Sequence, residues 1–288
     1  MNAKKFAEYV KEYLENLAEK NGIENLERYY SQSDYQFKEI NELSGINQVF
    51  AQFVLHAQNA TILCNIVKFF DNYKFLYDIT KGFSPKEFLN EINFKNESDR
   101  DKCVLSIVEK LKYNPVSNSA GLKWSTKSKK PLIKRFANSL IDGAVYFIQF
   151  NEKQEVINDL EKHYDSFETL SEYFIDKIIK HGFSNALCCD FLKELDSTFD
   201  LPKPDVHIME TLAKYNGYNL DYYKNRPVKC VNDFLCIVKE IKDEQTSMTA
   251  YKLDRQIWLC CTGNFFLDEK TFSKRKSCFK EEFLRAIN

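Results

Sequence analysis

Asp205 is the residue of this chain best placed to do chemistry. It stands in LPKPDVHIM, residues 201–209, between Pro204 and a run that must be helical. A rigidly positioned carboxylate at a helix mouth has what a catalytic group needs. Aspartate is also a favoured N-cap, so satisfying the first amides of that helix is the plain alternative. Upstream, Gly182 reads as the C′ glycine of a helix over 167–181. The next helix, ALCCDFLKEL, starts only four residues later. Two helices joined so tightly make a helix–hairpin–helix. Such a hairpin either presents unpaired N–H groups of its second helix to a phosphate or is an ordinary αα-hairpin.

Cations cluster in two places. KWSTKSKKPLIKR, from Lys123 to Arg135, has six cations, no acid and one tryptophan, and SKRKS spans Ser273–Ser277. Lys129, Lys130 and Arg135 are candidate phosphate contacts, and Trp124 is a candidate wedge or stacking surface. The other reading is a solvated charge run.

The elements that must position these groups read as helices. The chain has 288 residues, 44% hydrophobic, with 8 glycines and 6 prolines. That scarcity suits long helices better than a turn-dense β fold. Phe6, Val10, Leu14 and Leu17 mark an amphipathic helix over 3–20. Ser84 with Pro85 predicts a capped helix start. Further helices are expected over 98–113, 129–150, 152–163, 167–181 and 205–215, then near 230–243, 248–261 and 270–286. No alternating run is long enough to build a sheet, so the expected class is all-α. The net charge of −1 excludes a generally basic coat but allows a local basic face. The 9 cysteines lack any CxxC spacing and are expected to be reduced and buried in a cytosolic protein. The charged amino-terminal helix resembles neither a signal peptide nor a membrane span.

Hairpin, second helix, short linker and PxPDVHI together resemble the helix–hairpin–helix DNA glycosylases, closest to the 8-oxoguanine branch. AYKLDRQIWLCCTGNFF, residues 250–266, is similar to a late helix of one branch of that superfamily. VLHAQNATILCNIVKFF is similar to the early helix that carries a glutamine near DNA, here Gln58. The resemblance implies two helical lobes around a DNA-binding groove, within a single glycosylase-like unit over 1–288. One lobe would comprise 1–80 and 200–288, the other 81–199 with the hairpin at about 168–195. It implies Asp205 as the essential carboxylate and Gly182, Phe183, Ser184, Asn185 and Ala186 as backbone-contacting hairpin residues. Gln58, His207 and Trp258 would line a base pocket, though His207 also reads as a locally packed residue. Strand-cleaving members carry a lysine where this chain has Ala186, and Lys193 lies about two turns further on. The implied activity is therefore base release by a monofunctional glycosylase, or DNA-lesion binding on an inactive scaffold. A helical protein–protein adaptor is the third reading. The expected partner is damaged double-stranded DNA, bound by a monomer in the cytoplasm, or at the nucleoid if the source is bacterial. No cofactor or metal is required, beyond a monovalent cation on hairpin backbone carbonyls.

Overall fold

The computed structural model describes residues 1–30, 38–59, 69–112, 130–242, 248–265, 267, 270–271 and 276–287. In chain order its first helices are α1 (Ala3–Glu19), α2 (Lys38–Asn41), α3 (Gly45–Ala57), α4 (Tyr73–Ile79), α5 (Pro85–Glu91) and α6 (Arg100–Lys112). Next come α7 (Lys130–Phe147), α8 (Lys153–Glu161) and α9 (Phe167–Ser171), which runs on into a π-helix, Glu172–Ile178. The carboxy-terminal part has α10 (Asn185–Leu195), α11 (Val206–Asn216), α12 (Leu220–Lys224), α13 (Pro227–Lys242) and α14 (Ala250–Thr262). A two-residue antiparallel pair follows, β1 (Asn264–Phe265) with β2 (Lys270–Thr271), and then α15 (Lys276–Arg285). The described residues are thus all-α but for this one short pair. No helix among them is long and apolar enough to cross a membrane.

The chain divides into two compact units, residues 1–36 with 192–288, and residues 37–191. Residues 37–80 cluster with 81–191, rather than with the terminal segments, because α3 packs on α7.

In the first unit, Phe6, Val10 and Leu14 recur every four residues and form one fully buried stripe of α1. That stripe faces α14 and α13, and α14 also packs against α11 and α15. In the second unit, α3 is buried on nearly every side because its neighbours supply a phenylalanine cluster. Phe53 stacks on Phe183 with ring centroids 4.8 Å apart, and Phe147 and Phe191 meet it edge-on. Gly143 on α7 makes room for that ring, since a Cβ there would lie 2.4 Å from Phe53 Cε1.

Local signals explain most of the boundaries. Ser84 Oγ accepts the Glu87 N–H at 3.3 Å and Pro85 opens α5, as the sequence predicts. Gly263, at φ 58°, ends α14. Two expectations are corrected. The helix expected over 270–286 starts at Lys276, because Lys270 and Thr271 pair with Phe265 and Asn264 instead. The helix expected over 167–181 stops at Ile178 and its second half is π. Leu170, Phe174 and Ile179 are all fully buried at spacings of four and then five residues. The five-residue step needs the wider turn, closed by the Ile179 N–H on the Phe174 carbonyl at 2.7 Å. Of the seven cysteines whose side chains are described, all free thiols, six are buried and Cys236 is exposed, against the expectation that all would be buried.

Candidate functional site

Asp205 is held from both sides by its own chain. Its N–H donates to the Lys203 carbonyl at 2.7 Å, a three-residue turn over Pro204 whose ring presets the backbone. On the other side it is the N-cap of α11. One carboxylate oxygen, Oδ1, accepts the N–H groups of His207 at 2.8 Å and Ile208 at 3.1 Å. The second oxygen, Oδ2, takes no hydrogen bond from any described residue. Burial pushes the Asp205 carboxyl above the usual carboxylate range. The Asp254 charge raises it further, while Lys203, His207 and the Ile208 N–H pull it down.

Asp254 and Lys193 form a buried ion pair beside this turn, which the sequence motifs did not point to. Lys193 Nζ lies 2.6 Å from Asp254 Oδ2 and is 1% exposed. The same Oδ2 accepts the Lys203 N–H at 3.2 Å, so this ion pair grips the turn that carries Asp205. The Tyr251 ring lies near two cations, with Lys193 Nζ 5.4 Å and the Arg255 guanidinium 5.2 Å from its centroid. Arg255 is anchored in turn on Glu194 at 2.7 Å. The signal was present in the sequence. Asp254 sits in the stripe Ala250, Asp254, Ile257, Cys261, and Lys193 follows Leu192 four residues after Cys189. A charge on the apolar face of each of two helices is the pattern of a buried pair.

His207 is half-buried. Its carbonyl accepts from Thr211 Oγ1 at 2.8 Å, and its ring Nδ1 is buried with no hydrogen-bond partner among the described residues. Burial pushes the imidazole below its ordinary value, and the Asp205 charge works against that shift. Trp258, also in the first unit, is half-buried against the hydrophobic core there.

The second unit carries the hairpin. Gly182 has φ +101°, a region that disfavours any side chain. Ser139 Oγ donates to the His181 carbonyl at 2.7 Å and Arg135 Nε to the Gly182 carbonyl at 3.1 Å. Buried Asp142 takes both the His181 N–H, at 2.8 Å, and His181 Nδ1, at 3.0 Å, on Oδ2, and Arg100 on Oδ1 at 2.8 Å. The turn is thus fastened to α7 at three points. Arg135 and Ser184 are exposed, Asn185 and Ala186 half-buried in the first turn of α10, and the Phe183 side chain lies in the core. A monovalent cation on these carbonyls would compete with donors already in place, one of them the Arg135 cation.

Gln58 is a buried structural amide of the second unit, its Oε1 accepting the Phe69 N–H at 3.0 Å. Lys129, Trp124 and most of the basic loop fall outside the described residues, as do residues 273–275 of the second basic cluster. Lys130 opens α7, with its side chain outside the described atoms. A cavity of about 280 Å³ in the second unit is lined by Arg100, Asp142, Tyr173, Lys177 and Lys180, among others. No family model matches the chain, and no curated protein or solved structure shows significant similarity to it.

Proposed function

We propose that this chain is a monofunctional DNA glycosylase that hydrolyses the N-glycosidic bond of a damaged or modified base. The observation that carries the reading is the divided carboxylate of Asp205. Oδ1 is committed to two backbone N–H groups of α11, and Oδ2 is left for chemistry.

The reaction needs little else. A base flipped from the stack leaves as its C1′–N bond stretches, and positive charge builds on the deoxyribose. Ionised Asp205 stabilises that charge and orients a water. The water oxygen bonds to C1′, its proton passes through Asp205, and the bonding electrons leave with the base. The products are a free base and an abasic site. Ala186 supplies no amine, so no Schiff base forms and the strand is not cut by this route. Arg135, Ser184 and the first turn of α10 are the groups of the hairpin suited to backbone phosphate. Because burial and Asp254 raise the Asp205 carboxyl, the acid limb of activity falls at a higher pH than for an ordinary carboxylate.

The test is a base-release screen on alkylated, 8-oxoguanine and uracil duplexes, with alkali added to reveal abasic sites. Asp205→Asn keeps the cap, abolishes release and leaves DNA affinity intact. Robust release by that variant refutes the role of Asp205. The alanine at 186 favours one second reading, an inactive lesion-binding protein. It predicts affinity for bent or abasic DNA with no base released by the wild-type chain.

A further inference from the structure

We propose that the buried Lys193–Asp254 pair is the positioning element of the Asp205 site, clamping the Lys203–Pro204–Asp205 turn so that Oδ2 is held in one place. This rests on the glycosylase reading for its catalytic consequence, but not for its structural one.

The chain of contacts is continuous. Lys193 Nζ meets Asp254 Oδ2 at 2.6 Å, and that oxygen accepts the Lys203 N–H at 3.2 Å. The Lys203 carbonyl accepts the Asp205 N–H at 2.7 Å across Pro204. Every link is short and at least half-buried, and Pro204 leaves the turn little freedom. Both ends of the relay lie in the first unit, Lys193 near the end of α10 and Asp254 on α14. The segment between Phe199 and Asp205 has no regular structure of its own. Without the clamp, only the two N–H bonds to Oδ1 would orient the carboxylate.

A buried ion pair is a poor source of net stability, since desolvating two charges offsets most of their attraction. Well-packed apolar residues would serve folding as well. The best-attested use of a buried ion pair is to specify one arrangement, and here the arrangement specified is the turn before Asp205. The charged and titratable groups acting on Asp205 are Asp254, Lys203 and His207, with the Cys230 and Cys261 thiols feeling its charge in return. Lys193 Nζ and the Lys203 N–H meet on the same Asp254 oxygen, so one buried acceptor holds both the pair and the turn.

Removing either partner alone risks unfolding, so the test uses two charge-neutral double variants of the full chain. Lys193→Met with Asp254→Asn keeps an oxygen for the Lys203 N–H. Lys193→Met with Asp254→Leu does not. Three quantities are measured: kcat and KM for base release, hydrogen exchange of the His207 and Ile208 amides, and the Asp205 carboxyl titration by carbon-13 NMR. The leucine double variant should lose about 100-fold in kcat with KM unchanged, the scale of a misplaced catalytic group. Its two cap amides should also exchange faster. The asparagine double variant should stay within about threefold of wild type in kcat, since its amide oxygen still accepts the Lys203 N–H. Its Asp205 should titrate at lower pH, because the neighbouring negative charge is gone. Equal kcat and equal amide exchange in the two variants overturn the proposal, as does an unshifted Asp205 titration. If the wild type releases no base from any duplex, the glycosylase reading fails by itself. Exchange and titration then still decide whether the pair positions Asp205.

Discussion

Gly182→Ala tests the hairpin most directly. A Cβ at this position would lie 2.0 Å from Ser139 Oγ, 3.0 Å from the Arg135 carbonyl and 3.2 Å from Arg135 Cγ. The φ of +101° adds a backbone cost that no side-chain movement relieves. A sparsely populated φ costs ~1–3 kcal/mol, and overpacking a similar ~1–3 kcal/mol, giving roughly 2–6 kcal/mol in all. Ser139 can rotate away only by giving up its bond to the His181 carbonyl. Ser139→Ala alone removes that bond and costs about 1 kcal/mol. Placed with Gly182→Ala, it removes the closest clash but not the contact with the Arg135 carbonyl. The two changes should therefore couple favourably by ~1–2 kcal/mol and restore part of the loss. Urea unfolding of the full chain followed by circular dichroism reads all four corners of the cycle. A Gly182→Ala protein within about 0.5 kcal/mol of wild type refutes the reasoning, because surface substitutions commonly stay in that range. Strictly additive single effects refute the part assigned to Ser139.

Two further outcomes follow from the second unit. Gly143→Ala should destabilise by ~1–2 kcal/mol in thermal unfolding, although alanine gains about 1 kcal/mol over glycine in a free helix. The Phe53 ring cannot retreat between Phe183, Phe147 and Phe191, and in a Phe53→Leu background the same change should become neutral or stabilising. Arg100→Met leaves Asp142, already raised above the usual carboxylate range by burial, without its main counter-charge. It should cost ~3–5 kcal/mol at neutral pH. Because the folded carboxyl then holds its proton more tightly than the unfolded one, stability falls as pH rises through its titration and the deficit shrinks in acid. Urea midpoints across pH check the sign.

Sequence reasoning found what local chemistry dictates and missed what packing dictates. Ser84 with Pro85, the α1 stripe and Asp205 as an N-cap follow from groups a few residues apart, and each appears where expected. The π-helix does not follow from propensity, because SEYFIDKII is an ordinary helical sequence in composition. Its cause is the spacing of buried Leu170, Phe174 and Ile179, visible only once their burial is known. Phe183 reads as a hairpin surface residue beside Gly182, yet it completes a stack with Phe53, 130 residues earlier in the chain. The Lys193–Asp254 pair spans 61 residues. Each charge could be noticed on an apolar face, but their meeting depends on tertiary packing.

The way Asp205 divides its two oxygens has a consequence for how such a chain changes over generations. Asparagine and serine cap a helix about as well as aspartate. Folding, expression and protease resistance are thus nearly indifferent to whether position 205 carries a charge, and burial makes the charge itself a cost. A single-base change from aspartate to asparagine would pass every filter that acts on structure. Selection for a folded protein cannot keep this carboxylate. If related chains retain aspartate here in preference to asparagine or serine, what is being retained is the ionised Oδ2 and not the helix it begins.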